Sequence, residues 1–264
     1  MKYVNGVGVK TVASEWAIYF DMALTMLEEI RYHNERGERT VMIVPVGPTD
    51  QYPILAEMVN RLGVSLKNVH FFNMDEYLSS ATEIIPKDHP LSFHRRMEDE
   101  FYSRVDPDLV MPPEQRRFPL PGEEAAFDAL LESLGGADLC LGGLGINGHV
   151  AFNEAAEANA PITADEFAAL PTRVLPITRE TRTINAYGYQ RGDLRGMPEL
   201  CVTVGMKQIL ASKKIYIALN CPWQNGPFKH ALHLAETPTL PATLLRRNKN
   251  LVFCTTAEIA AGAV

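Results

Sequence analysis

The sequence predicts an α/β fold, a single doubly wound, mostly parallel sheet with helices on both faces. Three observations carry that expectation. Short, β-branched apolar runs recur along the chain and read as strands buried on both faces. Segments with helical apolar spacing lie before or between most of them, as βαβ units require. The 264 residues contain no internal repeat, low-complexity stretch or linker, so one domain over residues 1–264 is expected.

Taken in order, residues 1–10 lack the apolar core of a signal segment. Residues 13–35 read as an amphipathic helix, with Ala17, Phe20, Ala23, Leu24, Leu27 and Ile30 at helical spacing and Gly37 as a stop. Residues 40–46 read as a buried strand, after which Pro48, Thr49 and Asp50 open a second helix. Residues 69–72 form the next expected strand, and residues 91–105 and 123–134 the next helices. Residues 137–141 form a strand that runs into a glycine-rich turn, and residues 214–219 and 251–254 are two further buried strands. Residues 154–195 are more polar and less regular, and are expected as a mobile flap over a site.

Composition bounds the partners. Hydrophobic residues make up 46% and charged residues 22%, an ordinary globular balance. The net charge of −7 does not attract a phosphate backbone, so no nucleic acid partner is expected. A small anion is still admissible, because backbone amides and a few cations can hold one. No apolar run is long enough to cross a membrane, and a soluble, cytoplasmic protein is expected. Cys140, Cys201, Cys221 and Cys254 are scattered without a CxxC pair, and read as small buried hydrophobes in a reducing compartment.

Ligands of an open parallel sheet bind beyond the carboxyl ends of its strands, which singles out three segments. In Pro45-Val46-Gly47-Pro48-Thr49-Asp50, Gly47 permits close backbone approach, Thr49 offers a hydroxyl, and the helix start offers amides to an anion. The same residues also suit an ordinary helix cap. In Asn73-Met74-Asp75-Glu76-Tyr77, two adjacent carboxylates at a strand end are suited to raised pKa values and proton transfer, the alternative being a solvated acidic turn. In the third, Gly142, Gly143, Gly145 and Gly148 can wrap a small polar ligand, without the spacing of a dinucleotide fingerprint. His149 in that turn, with Glu154 five residues on, suggests an imidazole oriented by a carboxylate.

Phe72-Asn73-Met74-Asp75-Glu76-Tyr77 resembles the F-N-M-D-E-Y segment of glucosamine-6-phosphate deaminases. The run from Gly145 to Glu154, GINGHVAFNE, resembles their G-x-[DN]-G-H-I-[AG]-F-N-E segment, in the same order and at a matching separation. The resemblance implies a cofactor-free, metal-free enzyme that turns glucosamine-6-phosphate, or a related amino sugar, into fructose-6-phosphate and ammonia. It implies Asp75 as the base between C2 and C1, His149 as the ring-opening proton shuttle, and Glu154 as the carboxylate that orients it. Asn147, which stands where some members carry aspartate and others asparagine, is counted with them as a catalytic residue that tunes His149. Gly47, Thr49, Glu76, Gly143, Leu144, Gly145 and Arg182 complete the expected set as substrate-binding residues. The implied partner is a small-molecule sugar or sugar phosphate, and the family's varied assemblies admit a homo-oligomer.

Three departures from the family pattern all fall on phosphate recognition. The G-G-T loop reads Gly47-Pro48-Thr49, and proline removes an amide donor. Tyr187 stands where an arginine follows T-R-x-x-N, here Thr181 to Asn185. No lysine follows Leu219 until Lys229. Arg182, Arg191 and Lys229 are the candidate replacements; failing these, an unphosphorylated or differently substituted sugar is expected. Two further readings stay open, a 6-phosphogluconolactonase-like hydrolase and a sugar-binding protein without catalysis. The lactonases share a G-x-x-x-G-H turn but carry S-L-F-P-like residues where this chain has Phe152-Asn153-Glu154. Trp223 reads equally as sugar-site lining or as surface packing.

Overall fold

A computed structural model describes residues 1–264. The chain begins with β1 (Lys2–Val4) and β2 (Val7–Val12), a hairpin turning at Asn5 and Gly6, both with positive φ. Then follow α1 (Glu15–Asn34), β3 (Thr40–Val44), α2 (Gln51–Leu62), β4 (Val69–Asn73), β5 (Asp75–Ser80) and β6 (Glu83–Ile84). The middle holds α3 (Phe93–Met97), β7 (Arg116–Arg117), α4 (Glu124–Ser133), β8 (Leu139–Gly142), α5 (Ala164–Ala168) and β9 (Arg173–Pro176). The chain continues through α6 (Arg179–Tyr189), β10 (Leu200–Thr203), α7 (Met206–Leu210) and β11 (Lys214–Ala218). It closes with α8 (Asn225–His233), β12 (Leu251–Thr256) and α9 (Ala257–Ala260).

Eight strands form the main sheet in the order β1-β2-β12-β11-β8-β3-β4-β7, parallel except for β1. The five strands expected from apolar runs are β3, β4, β8, β11 and β12, and the doubly wound α/β class is borne out. Their uniform apolarity has a direct cause. Ile43, Phe72, Cys140, Ile217 and Phe253 enter one core, with Phe127 of α4, Ile209 of α7 and Phe228 of α8. Their strand neighbours Met42, Phe71, Leu139, Ala218 and Cys254 enter the other, with Met22 of α1 and Leu55 of α2. Alternate residues thus feed two covered faces, and each large apolar side chain so buried contributes roughly 1.5–3 kcal/mol.

The direction of winding reverses between β3 and β8. From β3 the chain moves outward through β4 to β7; from β8 it moves the other way through β11 to β12. Such a reversal leaves a crevice beyond the carboxyl ends of the two strands.

A second sheet, antiparallel and ordered β6-β5-β10-β9, was not foreseen from the sequence. Met74 is the corner at which the chain leaves the main sheet for the small one. Its N–H donates to Val44 O (2.9 Å), at the end of β3, and its carbonyl accepts from Val204 N (2.6 Å), just past β10. Residues 154–195, expected as a flap, are built of α5, β9 and α6.

Candidate active site

A cavity of about 280 Å³ opens over the crevice, beyond the ends of β3, β4, β8 and β11. Each strand delivers its following turn to the wall: Gly47 and Pro48, Asp75, the run 143–145, and 220–224. Helix α6 supplies the remaining side through Ile184, Asn185, Tyr187, Gly188 and Tyr189.

Asp75 is the first residue of the small sheet and lines the cavity at 6% exposure. Its carboxylate accepts no hydrogen bond from the protein. Burial pushes its pKa well above the carboxylate range, and the neighbouring Glu76 charge adds to the shift. The solvated-turn alternative therefore fails.

Glu76 does not line the cavity. Successive strand residues face opposite sides, so Glu76 turns away from Asp75. Fully buried, it accepts from the amides of Tyr77 (2.9 Å), Phe93 (3.0 Å) and His94 (3.0 Å) and from His94 Nδ1 (2.8 Å). It anchors the start of α3 to the small sheet. The expected substrate-binding role is replaced by a structural one.

His149 lines the cavity and is held from behind at Nδ1. That atom lies 2.8 Å from Asn147 Oδ1, 3.2 Å from Thr181 Oγ1 and 3.4 Å from Glu154 Oε2. Glu154 in turn accepts from Asn147 Nδ2 (2.7 Å), Thr181 Oγ1 (3.0 Å) and Thr178 Oγ1 (3.1 Å). Burial alone would raise the Glu154 carboxyl, but the bonds from His149, Asn147 and Thr181 outweigh it and hold it at about 2. Nε2 is left as the ring nitrogen without a protein partner. Thr178 and Thr181 were missed from the sequence; they belong to the N-cap of α6, far along the chain, and no local signal ties them to His149.

The glycine-rich turn fits the imidazole by shape. A Cβ on Gly145 would lie 2.0 Å from His149 Cε1, so the ring packs directly on the bare Cα. Beyond it, Phe152 N donates to Thr203 Oγ1 (3.0 Å) and Asn153 Nδ2 to Val204 O (2.9 Å). Val204 thus donates to the segment carrying Asp75 and accepts from the segment carrying His149. Gln224 Nε2 donates to Leu144 O (2.9 Å) and fixes the near edge of the turn.

The other expected binding residues divide. Gly47, Gly143, Leu144 and Gly145 line the cavity, whereas Thr49 and Arg182 do not. Arg182 pairs with Glu199 at 2.8 Å and reaches the carbonyls of Leu194 and Met197. Arg191 and Lys229, the other candidate cations, are exposed and lie outside the wall. Trp223 lines the cavity. Tyr189, Asn185 and Asn220 also line it, unmarked in sequence because nothing about a lone polar residue after a strand or on a helix announces a site.

No protein-family model matches the chain. The chain is similar to a glucosamine-6-phosphate deaminase of Parabacteroides distasonis, 30% identical over 253 residues that cover 94% of this chain and 86% of that one. A glucosamine-6-phosphate deaminase of Beutenbergia cavernae is 30% identical over 235 residues, covering 88% of this chain and 84% of its own. Among solved structures, a monomeric glucosamine-6-phosphate deaminase of the NagB superfamily superposes with a TM-score of 0.82 at 22% identity, over 97% of this chain and 99% of that one. A 6-phosphogluconolactonase from Trypanosoma brucei superposes with a TM-score of 0.67 at 15% identity, over 96% and 97%. Those structural likenesses establish a fold that both kinds of enzyme share. The sequence likeness separates them, because at 30% identity over most of both chains it falls on the deaminases: the chain belongs to the glucosamine-6-phosphate deaminase family.

Proposed function

We propose that this protein is a deaminating aldose–ketose isomerase acting on glucosamine-6-phosphate or a related amino sugar, with Asp75 and His149 as its proton-transfer residues. The observation that carries the assignment is the pairing of two groups on one cavity. One is a buried carboxylate free of protein hydrogen bonds; the other is an imidazole fixed at Nδ1 with Nε2 free.

His149 Nε2 carries the proton between the anomeric hydroxyl and the ring oxygen, which opens the pyranose. Asp75 then removes the C2 proton and returns it to C1. The C1 aldehyde and C2 amine become a C1 hydroxymethyl and a C2 imine, which takes up water and releases ammonia. A carboxylate with a raised pKa is a stronger base for the weakly acidic C2 proton, and each well-placed proton-transfer group contributes roughly 10²–10⁴-fold. Asn147, Glu154 and Thr181 hold the imidazole in place without touching substrate.

Ammonia release from glucosamine-6-phosphate and from free glucosamine, with Asp75→Asn alongside, tests the assignment. Release from either sugar, lost in the variant together with deuterium uptake at C1 of the product, is expected. Release from neither sugar, or a variant as fast as the parent, overturns it.

A further inference from the structure

The far end of the cavity is built from neutral groups. Asp75 and His149 are the only Asp, Glu, His, Lys or Arg side chains in its wall. A phosphate dianion drawn out of water needs cations or convergent donors to replace its hydration, and several contacts work against both.

The first is Tyr189. Its hydroxyl stands 3.6 Å from where a Cβ on Gly47 would be, over the turn whose glycine otherwise admits close approach by a ligand. The guanidinium of Arg96 lies 5.5 Å from the centre of the same ring and is absent from the wall. A cation is therefore at hand but is engaged by the tyrosine. The second is the 45–50 turn. Pro48 has no N–H to give, and Asp50, the residue before α2, adds a negative charge near the start of the helix without capping it. The third is a pair of amides. Asn185 turns its nitrogen to Tyr77 Oη (3.0 Å) and Asn220 turns its nitrogen to Tyr19 Oη (2.9 Å). Their carbonyl oxygens are left without partners, as acceptors that suit a hydroxyl and repel an anion.

We propose that this end of the cavity selects an uncharged, hydroxyl-bearing terminus, so that the preferred substrate is an amino sugar without the 6-phosphate, and that Tyr189 is the specificity-determining residue. This rests on the function proposed above. Trp223 adds an aromatic face of the kind that packs on the C–H side of a sugar.

Binding separates this inference from the activity itself. Calorimetric titrations would compare 2-amino-2-deoxy-D-glucitol, a non-reacting open-chain analogue, with its 6-phosphate ester, alongside ammonia release from the matching sugars. The neutral alditol is expected to bind tighter by roughly tenfold or more. Equal or tighter binding of the phosphate ester, or binding of neither, overturns the inference. Tighter binding of the neutral alditol with no ammonia from either sugar leaves the inference standing and removes the proposed activity. Tyr189→Ala should shift the affinity ratio toward the phosphate by exposing Arg96, and adding Arg96→Ala should reverse the shift. An unmoved ratio removes Tyr189 from the specificity role.

Discussion

Asp75 and Glu154 are both almost fully buried beside one cavity, yet their surroundings drive them in opposite directions. Asp75 sits at the corner between two sheets, where the main chain is already committed to Val44 and Val204 and nothing donates to the carboxylate. Glu154 sits in a loop that gathers donors from Asn147, Thr178 and Thr181. The difference teaches that burial alone does not decide what an acid is for. Donor supply decides: a starved carboxylate is kept basic, and a saturated one becomes a fixed charge behind a histidine.

The sharpest way to break the comparison is Asp75→Asn, which keeps the shape and removes the base. Turnover should fall by roughly 10²–10⁴-fold, and deuterium uptake at C1 of the product should fall with it. In the parent, kcat/KM should rise with pH along a limb whose midpoint lies above the ordinary carboxylate range, since Asp75 works deprotonated and its pKa is raised. Next comes Gly145→Ala. The new methyl meets the imidazole and displaces it, and turnover of the cyclic sugar should drop by about 10²-fold. Exchange on an open-chain analogue, which needs Asp75 but no ring opening, should be largely spared.

The remaining tests read stability. Glu154 is held at about 2 against an ordinary 4.5, so its ionised form stabilises the fold. That contribution is present above pH 4.5 and is lost as pH falls through about 2. Glu154→Gln should therefore cost about 3 kcal/mol at neutral pH by urea denaturation, with the deficit shrinking in acid. Asp75 has the reverse sign. Its raised pKa means that ionisation destabilises the fold as pH climbs above the ordinary 3.8, so Asp75→Asn should raise the melting temperature at pH 7 and have little effect at pH 3. A loss of stability there would contradict the donor-starved environment.

The parts of this molecule legible in sequence were those written in local pattern. The runs VMIV and IYIA are continuous and buried because both faces of the main sheet are covered, and they read as buried strands at once. Asp75, His149 and Glu154 fall within two contiguous motifs, which is why their company could be expected. The small sheet could not be seen, because DEYLSS and LCVT alternate poorly and become strands only by pairing with each other across more than a hundred residues. Glu76 was misplaced for the same reason. Its partners come from residues 92–94, and nothing beside it in sequence announces them. Arg182 carries the charge expected of a binding residue, but its target, Glu199, lies past the end of its helix.

Val204 makes no claim on the chemistry, yet it sets the register between base and imidazole through its own N–H and C=O. Both groups belong to the main chain, so nineteen of the twenty amino acids carry them and proline alone lacks the donor. On the Val204 side, alignment of the reacting groups is therefore stored where side-chain replacement hardly reaches, and the side-chain partner it needs is the Asn153 amide. Sequence drift around position 204 can change size and packing while the spacing between the two halves of the site is inherited with the backbone.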